Sequence, residues 1–407
     1  MRKFLFIHQN FPGQFVHVAA ELARLGHEVV ALGIGGPGIP GNTSVRYIRY
    51  PVKPPERPSD LPLLREFEGK LVRGLACTQA MVQLKAEGFT PDVVVAHPGW
   101  GEALFCKDVW PATRMVMFAE FFYSAQNSDF DFDPEFPMER IDARLKLRMK
   151  NTEHLHALLA ADAIYAPTRW QRDRLPPEYH HKADVIFDGI DTAQVVPDAA
   201  ARITLQRQNL TVGPDDEIIT FVNRNLEPYR GFHVFMRALP EILKQRPKAR
   251  CVIVGRDAVS YGSAPRGGGT WREVMLKEMG DRLPLDRVHF LGGLSYADYL
   301  KVIQVSACHV YLTYPFVLSW SCLEAMSAER VVVGSRTGPV TEVIEHGVNG
   351  LLVDFFDIGA LAAQVVQVLA EPARYRALGL QARKTVVERY DLRSVCLPAL
   401  VHRLLSV

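Results

Sequence analysis

A dozen short runs in this chain are apolar for most of their length, and each is too short to be a helix of its own. K-F-L-F-I (3–7), E-V-V-A-L (28–32), D-V-V-V-A (92–96), R-M-V-M-F-A (114–119), A-I-Y-A (163–166) and D-V-I-F (184–187) form a first series. E-I-I-T-F-V (217–222), C-V-I-V-G (251–255), V-H-F-L-G (288–292), C-H-V-Y-L-T (308–313), V-V-V-G-S (331–335) and G-L-L-V (350–353) form a second. Runs without polar alternation are what strands buried on both faces need, and such strands occur in parallel sheets covered by helices. Helical stretches separate most of them: Val16 to Leu25, closed by Gly26, is the first. Strand, glycine-containing loop, helix, strand is a βαβ unit.

Because the alternation runs, pauses at the polar stretch 191–202 and restarts, the chain reads as two doubly wound α/β domains. We place the first at 1–195 and the second at 196–390, with a C-terminal helix over 391–407 packing back on the first. A length of 407 residues agrees with more than one core. Two such domains in series predict a cleft between the carboxyl ends of both sheets, where open α/β sheets take their ligands.

The net charge of +2 gives no strong pull towards nucleic acid. Six cysteines, none in a C-x-x-C pair and all in or beside apolar segments, read as reduced thiols rather than a metal site or disulfide framework. The N-terminal apolar run is only four residues, short for a secretory leader. No stretch reaches the ~18 apolar residues of a membrane span. These features predict a cytoplasmic protein.

In the first domain, H-Q-N-F-P-G-Q-F lies between the first strand and first helix. Gly13 lets the backbone approach a ligand, Gln14 is polar beside it, and the helix start offers free N–H groups. A plain Pro-Gly turn would use the same residues. His97 and Trp100, in A-H-P-G-W-G-E, follow another strand. His97 reads equally as a ligand-side or a structural histidine. S-D-F-D-F-D-P-E-F alternates Asp129, Asp131 and Asp133 with Phe130 and Phe132. Without the glycine turn of a calcium loop, an ordered loop with tucked aromatics is the preferred reading over a metal site. In 138–150 the bases Arg140, Arg144, Lys146, Arg148 and Lys150 outnumber Glu139 and Asp142, while Met138, Ile141, Leu145 and Met149 recur at helical spacing. We expect an amphipathic helix whose apolar stripe covers core. The same pattern can meet an anionic lipid surface on the inner membrane face.

In the second domain, N-R-N-L-E-P-Y-R-G (223–231) puts Arg224 and Arg230 at a strand end around a proline turn, where planar guanidinium forks suit a diphosphate. S-W-S-C-L-E opens a helix after C-H-V-Y-L-T. Ser319 or Ser321 would cap it, and the N–H groups of Trp320, Ser321 and Cys322 would face an anion. Glu324 then either accepts hydrogen bonds from sugar hydroxyls or closes a capping box with Ser321. Glu342, near the start of a helix after R-T-G-P-V-T, has the same dipole-compensating alternative.

Taken in order, F-V-N-R-N-L-E-P-Y-R-G, V-I-V-G-R, V-H-F-L-G, L-E-A-M-S-A-E-R-V-V-V-G-S and H-G-V-N-G-L-L-V-D resemble the nucleotide-sugar domain of the family 4 glycosyltransferases. D-G-I-D (188–191) resembles the segment before that family's linker, and H-Q-N-F-P-G-Q-F, A-H-P-G-W-G-E and E-F-F-Y resemble one branch of its N-terminal domains. The resemblance implies the GT-B fold and retaining, metal-independent transfer from a nucleotide sugar. It implies that Arg224 and Arg230 meet the donor diphosphate, that Gly255 and Arg256 lie at the donor, and that Glu324 holds the nucleotide ribose. Two positions depart from it. Phe316 stands where the family carries another Glu beside the donor sugar, and Glu120 stands where a His is common. Glu120, with a carboxylate able to accept a hydroxyl proton or orient the acceptor, joins Arg224 and Arg230 as a catalytic candidate. Gly13, Gln14, Ser319, Trp320 and Ser321 complete the donor side. His97, Trp100 and Asp129 are acceptor-side candidates.

The activity implied is transfer to a sugar, lipid-linked or small-molecule acceptor in glycan biosynthesis, with no separate cofactor. A nucleotide-sugar epimerase of the same fold is the first alternative, although its expected cluster of carboxylates and histidines is not evident. A non-catalytic nucleotide-sugar-binding protein is the second, motivated by Phe316 and Glu120.

Overall fold

The computed structural model describes residues 1–138, 141–206 and 209–407. The chain divides into two compact units, Met1–Asp188 with Arg393–Val407, and Gly189–Leu392.

The first unit is built on β1 (Lys3–Ile7), β2 (Glu28–Gly33), β3 (Val45–Arg49), β4 (Val93–Ala96), β5 (Arg114–Phe118), β6 (Ala163–Ala166) and β7 (Ala183–Val185). They form one sheet in the order β3-β2-β1-β4-β5-β6-β7. Every pairing is parallel, with Phe4 opposite both Val29 and Val93. Alternate residues of β1 serve opposite cores. Leu5 and Ile7 pack with Cys77 and Met81 of the helix Pro62–Ala86, and Phe4 and Phe6 pack with Phe15, Val18 and Leu22. Leu400, Val401 and Leu404 of the last helix, Leu397–Leu405, complete that second core. Burial of each large side chain there is worth about 1.5–3 kcal/mol.

The second unit opens with an antiparallel hairpin, β8 (Ile203–Leu205) and β9 (Leu210–Val212). Its sheet contains β10 (Ile218–Asn225), β11 (Arg250–Arg256), β12 (Val288–Gly292), β13 (Cys308–Tyr311), β14 (Val331–Ser335) and β15 (Leu351–Val353). The order is β12-β11-β10-β13-β14-β15, again parallel throughout. Gly231, at φ +68°, ends the turn after β10 and starts the helix Phe232–Gln245. A Cβ there would lie 2.4 Å from the Leu312 Cβ, so both backbone and space require glycine.

Two elements escape a search for apolar runs. β3 reads V-R-Y-I-R, an edge strand with two arginines, and the β8–β9 hairpin offers three residues a side. The helix expected over 138–150 is present at Ile141–Met149, but no residue of it is buried. Ile141 is 67% and Leu145 41% exposed. Its partly covered positions are Ala143, Leu147 and Met149, so of the four stripe residues Met149 is partly covered while Ile141 and Leu145 are not. The packed face is thus rotated from the stripe chosen by hydrophobicity, and the expectation of an apolar stripe over core is corrected. Glu139 and Arg140 of that stretch lie outside the described residues. All six cysteines are buried and none is in a disulfide. Among the described residues no helix is long and apolar enough to cross a membrane.

Candidate functional site

In the first unit three side chains leave the carboxyl ends of three neighbouring strands: His8 after β1, His97 after β4 and Glu120 after β5. Chain order reverses direction between β1 and β4, the switch point at which open sheets form a crevice. The hydrogen bonds there place every proton. His97 Nδ1 accepts from the Gly99 amide at 3.1 Å, so Nε2 carries the hydrogen and donates to Glu120 Oε2 at 3.2 Å. His8 Nδ1 accepts from the Asn10 amide at 3.0 Å, so His8 Nε2 donates to Gln14 Oε1 at 3.0 Å. The Gln14 amide is thereby oriented, and its Nε2 donates to Glu120 Oε1 at 3.0 Å.

One carboxylate therefore accepts from both side chains, one on each oxygen. The Glu120 side chain keeps 31% of its surface exposed. Behind it, Gln171 Nε2 donates to the Glu120 carbonyl and fixes the backbone. Trp100 stacks on His97, with centroids 4.2 Å apart, and meets His8 edge-on at 4.9 Å. Gly13 is at φ +49°, and a Cβ there would sit 2.3 Å from His8 Nε2. Its glycine identity makes room for the histidine that sets the relay.

In the second unit the corresponding reversal is between β10 and β13. Arg230, in the turn after β10, is 6% exposed and spans this point. Its Nη1 donates to Thr313 Oγ1 at 2.9 Å and to the Val317 carbonyl at 2.8 Å, and lies 3.4 Å from the Tyr311 hydroxyl. Among the described residues, all of its hydrogen bonds within the protein leave from that one nitrogen. The guanidinium also lies against the rings of Tyr261, at 5.3 Å, and Phe316, at 5.8 Å. Phe316 is packed edge-on against Tyr229 and at 4.8 Å from Tyr261. The cation is thus faced by π-electrons where the resemblance would put a second carboxylate.

Glu324 is buried in the helix Trp320–Ser327. Its carboxylate accepts from the Tyr296 hydroxyl at 2.8 Å and the Tyr299 hydroxyl at 2.5 Å. Burial pushes its pKa above the ordinary value, and the two hydroxyls oppose that rise. The capping-box alternative is corrected here, since the carboxylate turns to the tyrosines of the preceding helix, Tyr296–Gln304. Ser319 is the N-cap by position without a side-chain capping bond, and its amide donates to the Tyr311 hydroxyl at 2.7 Å.

Two family models cover most of the chain: glycosyl transferase family 4 group over residues 25–195, and glycosyl transferases group 1 over 203–385. The chain belongs to the family 4 glycosyltransferases. It is 25% identical over 224 residues to a D-inositol 3-phosphate glycosyltransferase of Segniliparus rotundus, a match covering 54% of this chain and 47% of the relative. The chain thus spans about half the length of the curated relatives it matches. Among solved structures, sucrose-phosphate synthase of Thermosynechococcus elongatus aligns over 100% of this chain and 99% of its own, with TM-score 0.74 and 18% identity. HepE of Anabaena, in complex with UDP and glucose, aligns over 100% of both chains with TM-score 0.69 and 17% identity. The shared fold is GT-B, two parallel-sheet α/β domains in one chain.

Within this family member the residues singled out from sequence fall into two constellations and several outliers. Gln14, His97, Trp100 and Glu120 come together, with Gly13 against His8. Arg230 and Ser319 share the Tyr311 hydroxyl. Arg224 is exposed on β10 and makes no hydrogen bond or ion pair among the described residues. Gly255 and Arg256 end β11; a Cβ at Gly255 would lie 2.7 Å from Leu226 Cδ2. Trp320 is exposed, and the Ser321 hydroxyl is buried without a hydrogen-bond partner among the described residues. Asp129 is buried and accepts from the Ser128 hydroxyl at 2.8 Å. Asp131 and Asp133 accept backbone amides of their own loop, from Met138 and Glu135, as an ordered loop requires. Glu342 sits just after the short helix Gly338–Thr341.

His8, Gln171, Tyr296, Tyr299, Tyr261 and Glu227 were not singled out from sequence. His8 alone carried a usable signal, as the first residue after β1.

Burial, with His97 beside it, pushes the His8 pKa from the ordinary 6.5 down to about 4. As pH falls, the unfolded chain protonates first. The contribution of His8 to stability is therefore complete above about pH 6.5 and declines towards pH 4, by at most about 1.4 kcal/mol per pH unit. Denaturant melts between pH 7 and pH 4 should show a shallower loss for His8→Gln than for the parent; parallel curves would refute this.

Proposed function

We propose that the chain moves a sugar, with retention of anomeric configuration, from a nucleoside-diphosphate sugar to a hydroxyl acceptor in glycan or glycoconjugate biosynthesis. The observation that carries this is Arg230, a guanidinium anchored through one nitrogen at the β10–β13 switch point. A cation held in that way is prepaid in orientation and desolvation for a diphosphate. Family membership and the UDP and glucose held by HepE, alike in fold, support the donor class.

The chemistry follows from charge. As the sugar leaves the diphosphate it becomes oxocarbenium-like, and negative charge grows on the leaving oxygens. Arg230 and the amides at the start of the 320–327 helix meet that charge, with no metal needed for it. Glu324, held by Tyr296 and Tyr299, accepts from ribose hydroxyls. In the first unit, the Glu120 carboxylate accepts a hydrogen bond from an acceptor hydroxyl and orients it. Gln14 and His97 hold the carboxylate in place while it does so.

We also infer that the acceptor is presented at an anionic lipid surface. Ile141 and Leu145 stand exposed between Arg144, Lys146 and Arg148 on the same helix, an arrangement that suits headgroups and acyl chains together.

Arg230→Ala should lower transfer at least ~100-fold, on the scale of losing one oxyanion donor. Turnover near that of the parent would sink the diphosphate assignment. A thermal-shift panel of UDP, GDP, ADP and dTDP identifies the donor base. Nucleoside diphosphate released only when acceptor is present marks a transferase; interconversion of the sugar without acceptor would mark an epimerase, and binding with neither reaction a non-catalytic protein. Glu324→Ala should weaken the stabilising nucleotide in that panel, whereas unchanged affinity with a lower Tm would make Glu324 structural only. Co-sedimentation with phosphatidylglycerol vesicles should fall for Ile141→Glu with Leu145→Glu, and equal sedimentation of parent and variant would remove the lipid assignment.

A further inference from the structure

Glu227 lies three residues before Arg230 and is 1% exposed. Its carboxylate binds no cationic side chain among the hydrogen bonds and ion pairs of the described residues. It accepts three consecutive backbone amides: Ser260 at 3.1 Å on Oε1, and Tyr261 at 3.2 Å and Gly262 at 2.9 Å on Oε2. Three amides converging on one anion form a concave nest. Here the nest belongs to the exposed loop that leaves β11, and the carboxylate belongs to the loop that leaves β10. Two further bonds join the same loops. The Leu226 amide donates to the Arg256 carbonyl at 3.0 Å, and Asn225 Nδ2 donates to the Ser260 hydroxyl. The middle residue of the nest is Tyr261, whose ring lies 5.3 Å from the Arg230 guanidinium.

We propose that Glu227 is a positioning residue for anion binding at Arg230. It clamps the 257–263 loop so that the Tyr261 ring covers one side of the guanidinium. A cation shielded from water on that side binds a diphosphate more strongly than one open to solvent. Glu227 touches neither donor nor acceptor, and acts through the loop it holds. Its negative charge is absorbed by backbone amides, so it does not neutralise the nearby arginine by direct pairing. This proposal rests on the assignment of Arg230 to the donor diphosphate.

The test uses the full chain and has two readouts. Amide hydrogen exchange in the absence of ligand reports the clamp: Ser260, Tyr261 and Gly262 should be protected in the parent and exposed in Glu227→Ala, with Glu227→Gln between them. Affinity for UDP, GDP, ADP and dTDP by calorimetry reports its consequence. For whichever diphosphate binds the parent, Glu227→Ala and Tyr261→Ala should each weaken binding about tenfold. The double variant should be no weaker than either single one, because the two residues act in series. Tyr261→Phe should bind as the parent does. Amides unprotected in the parent, or released in Glu227→Ala with affinity unchanged while Arg230→Ala loses it, would overturn the clamp and leave the diphosphate assignment standing. Additive losses in the double variant would also overturn it. If Arg230→Ala binds as tightly as the parent, or no diphosphate binds the parent at all, the diphosphate assignment falls and the proposal with it.

Discussion

The parallel pairing of β1 with β4, and of β10 with β13, is the constraint on which the functional geometry rests. In each sheet this is the pair at which the winding reverses. In open α/β sheets the helices that follow two such strands pack on opposite faces, which forms a crevice at their carboxyl ends. Side chains leaving those ends then converge without any long loop to carry them. His8, His97 and Glu120 do so in one unit, and Arg230 and Thr313 in the other, where the Val317 backbone carbonyl also accepts from Arg230.

The two constellations solve the cost of buried polarity differently. Around Glu120 the carboxylate is served by Gln14 and His97; His97, and the His8 that orients Gln14, are each fixed by a backbone amide two residues along. Around Arg230 the cation is served by a hydroxyl, a carbonyl and aromatic faces. Among the described residues no carboxylate hydrogen-bonds Arg230, and such a partner would leave its cation little attraction for a ligand. A buried charge without a counter-charge costs stability, which the surrounding core must supply.

Much of the fold was legible because buried parallel strands carry an unmistakable pattern. K-F-L-F-I and V-V-V-G-S were placed to the residue, as Lys3–Ile7 and Val331–Ser335. V-R-Y-I-R was not, because an edge strand has one open side and carries arginines there. The Ile141–Met149 helix was found, but its packed face was not, because apolar residues on a short surface helix do not reveal which side has a neighbour. Among the candidate residues, Gly13, Gln14, His97, Glu120 and Arg230 stand out in the sequence as polar residues or glycine next to strand ends. Glu227 and the tyrosines on Glu324 could not. Their contacts are with partners 33–35 and 25–28 residues away, and no local pattern encodes such a meeting.

The placement of the last fifteen residues has an effect on how the protein is made. Leu400, Val401 and Leu404 belong to the core of the unit formed by residues 1–188, yet they emerge from the ribosome only after the whole of the intervening unit. Until then Phe15, Val18 and Leu22 have an uncovered side. The first unit to be synthesised is thus the last to be sealed, and the nascent chain carries an open apolar surface through the time needed to translate about two hundred residues, or ~10–40 s at ~5–20 residues per second. That interval is the period in which a chaperone has something to hold.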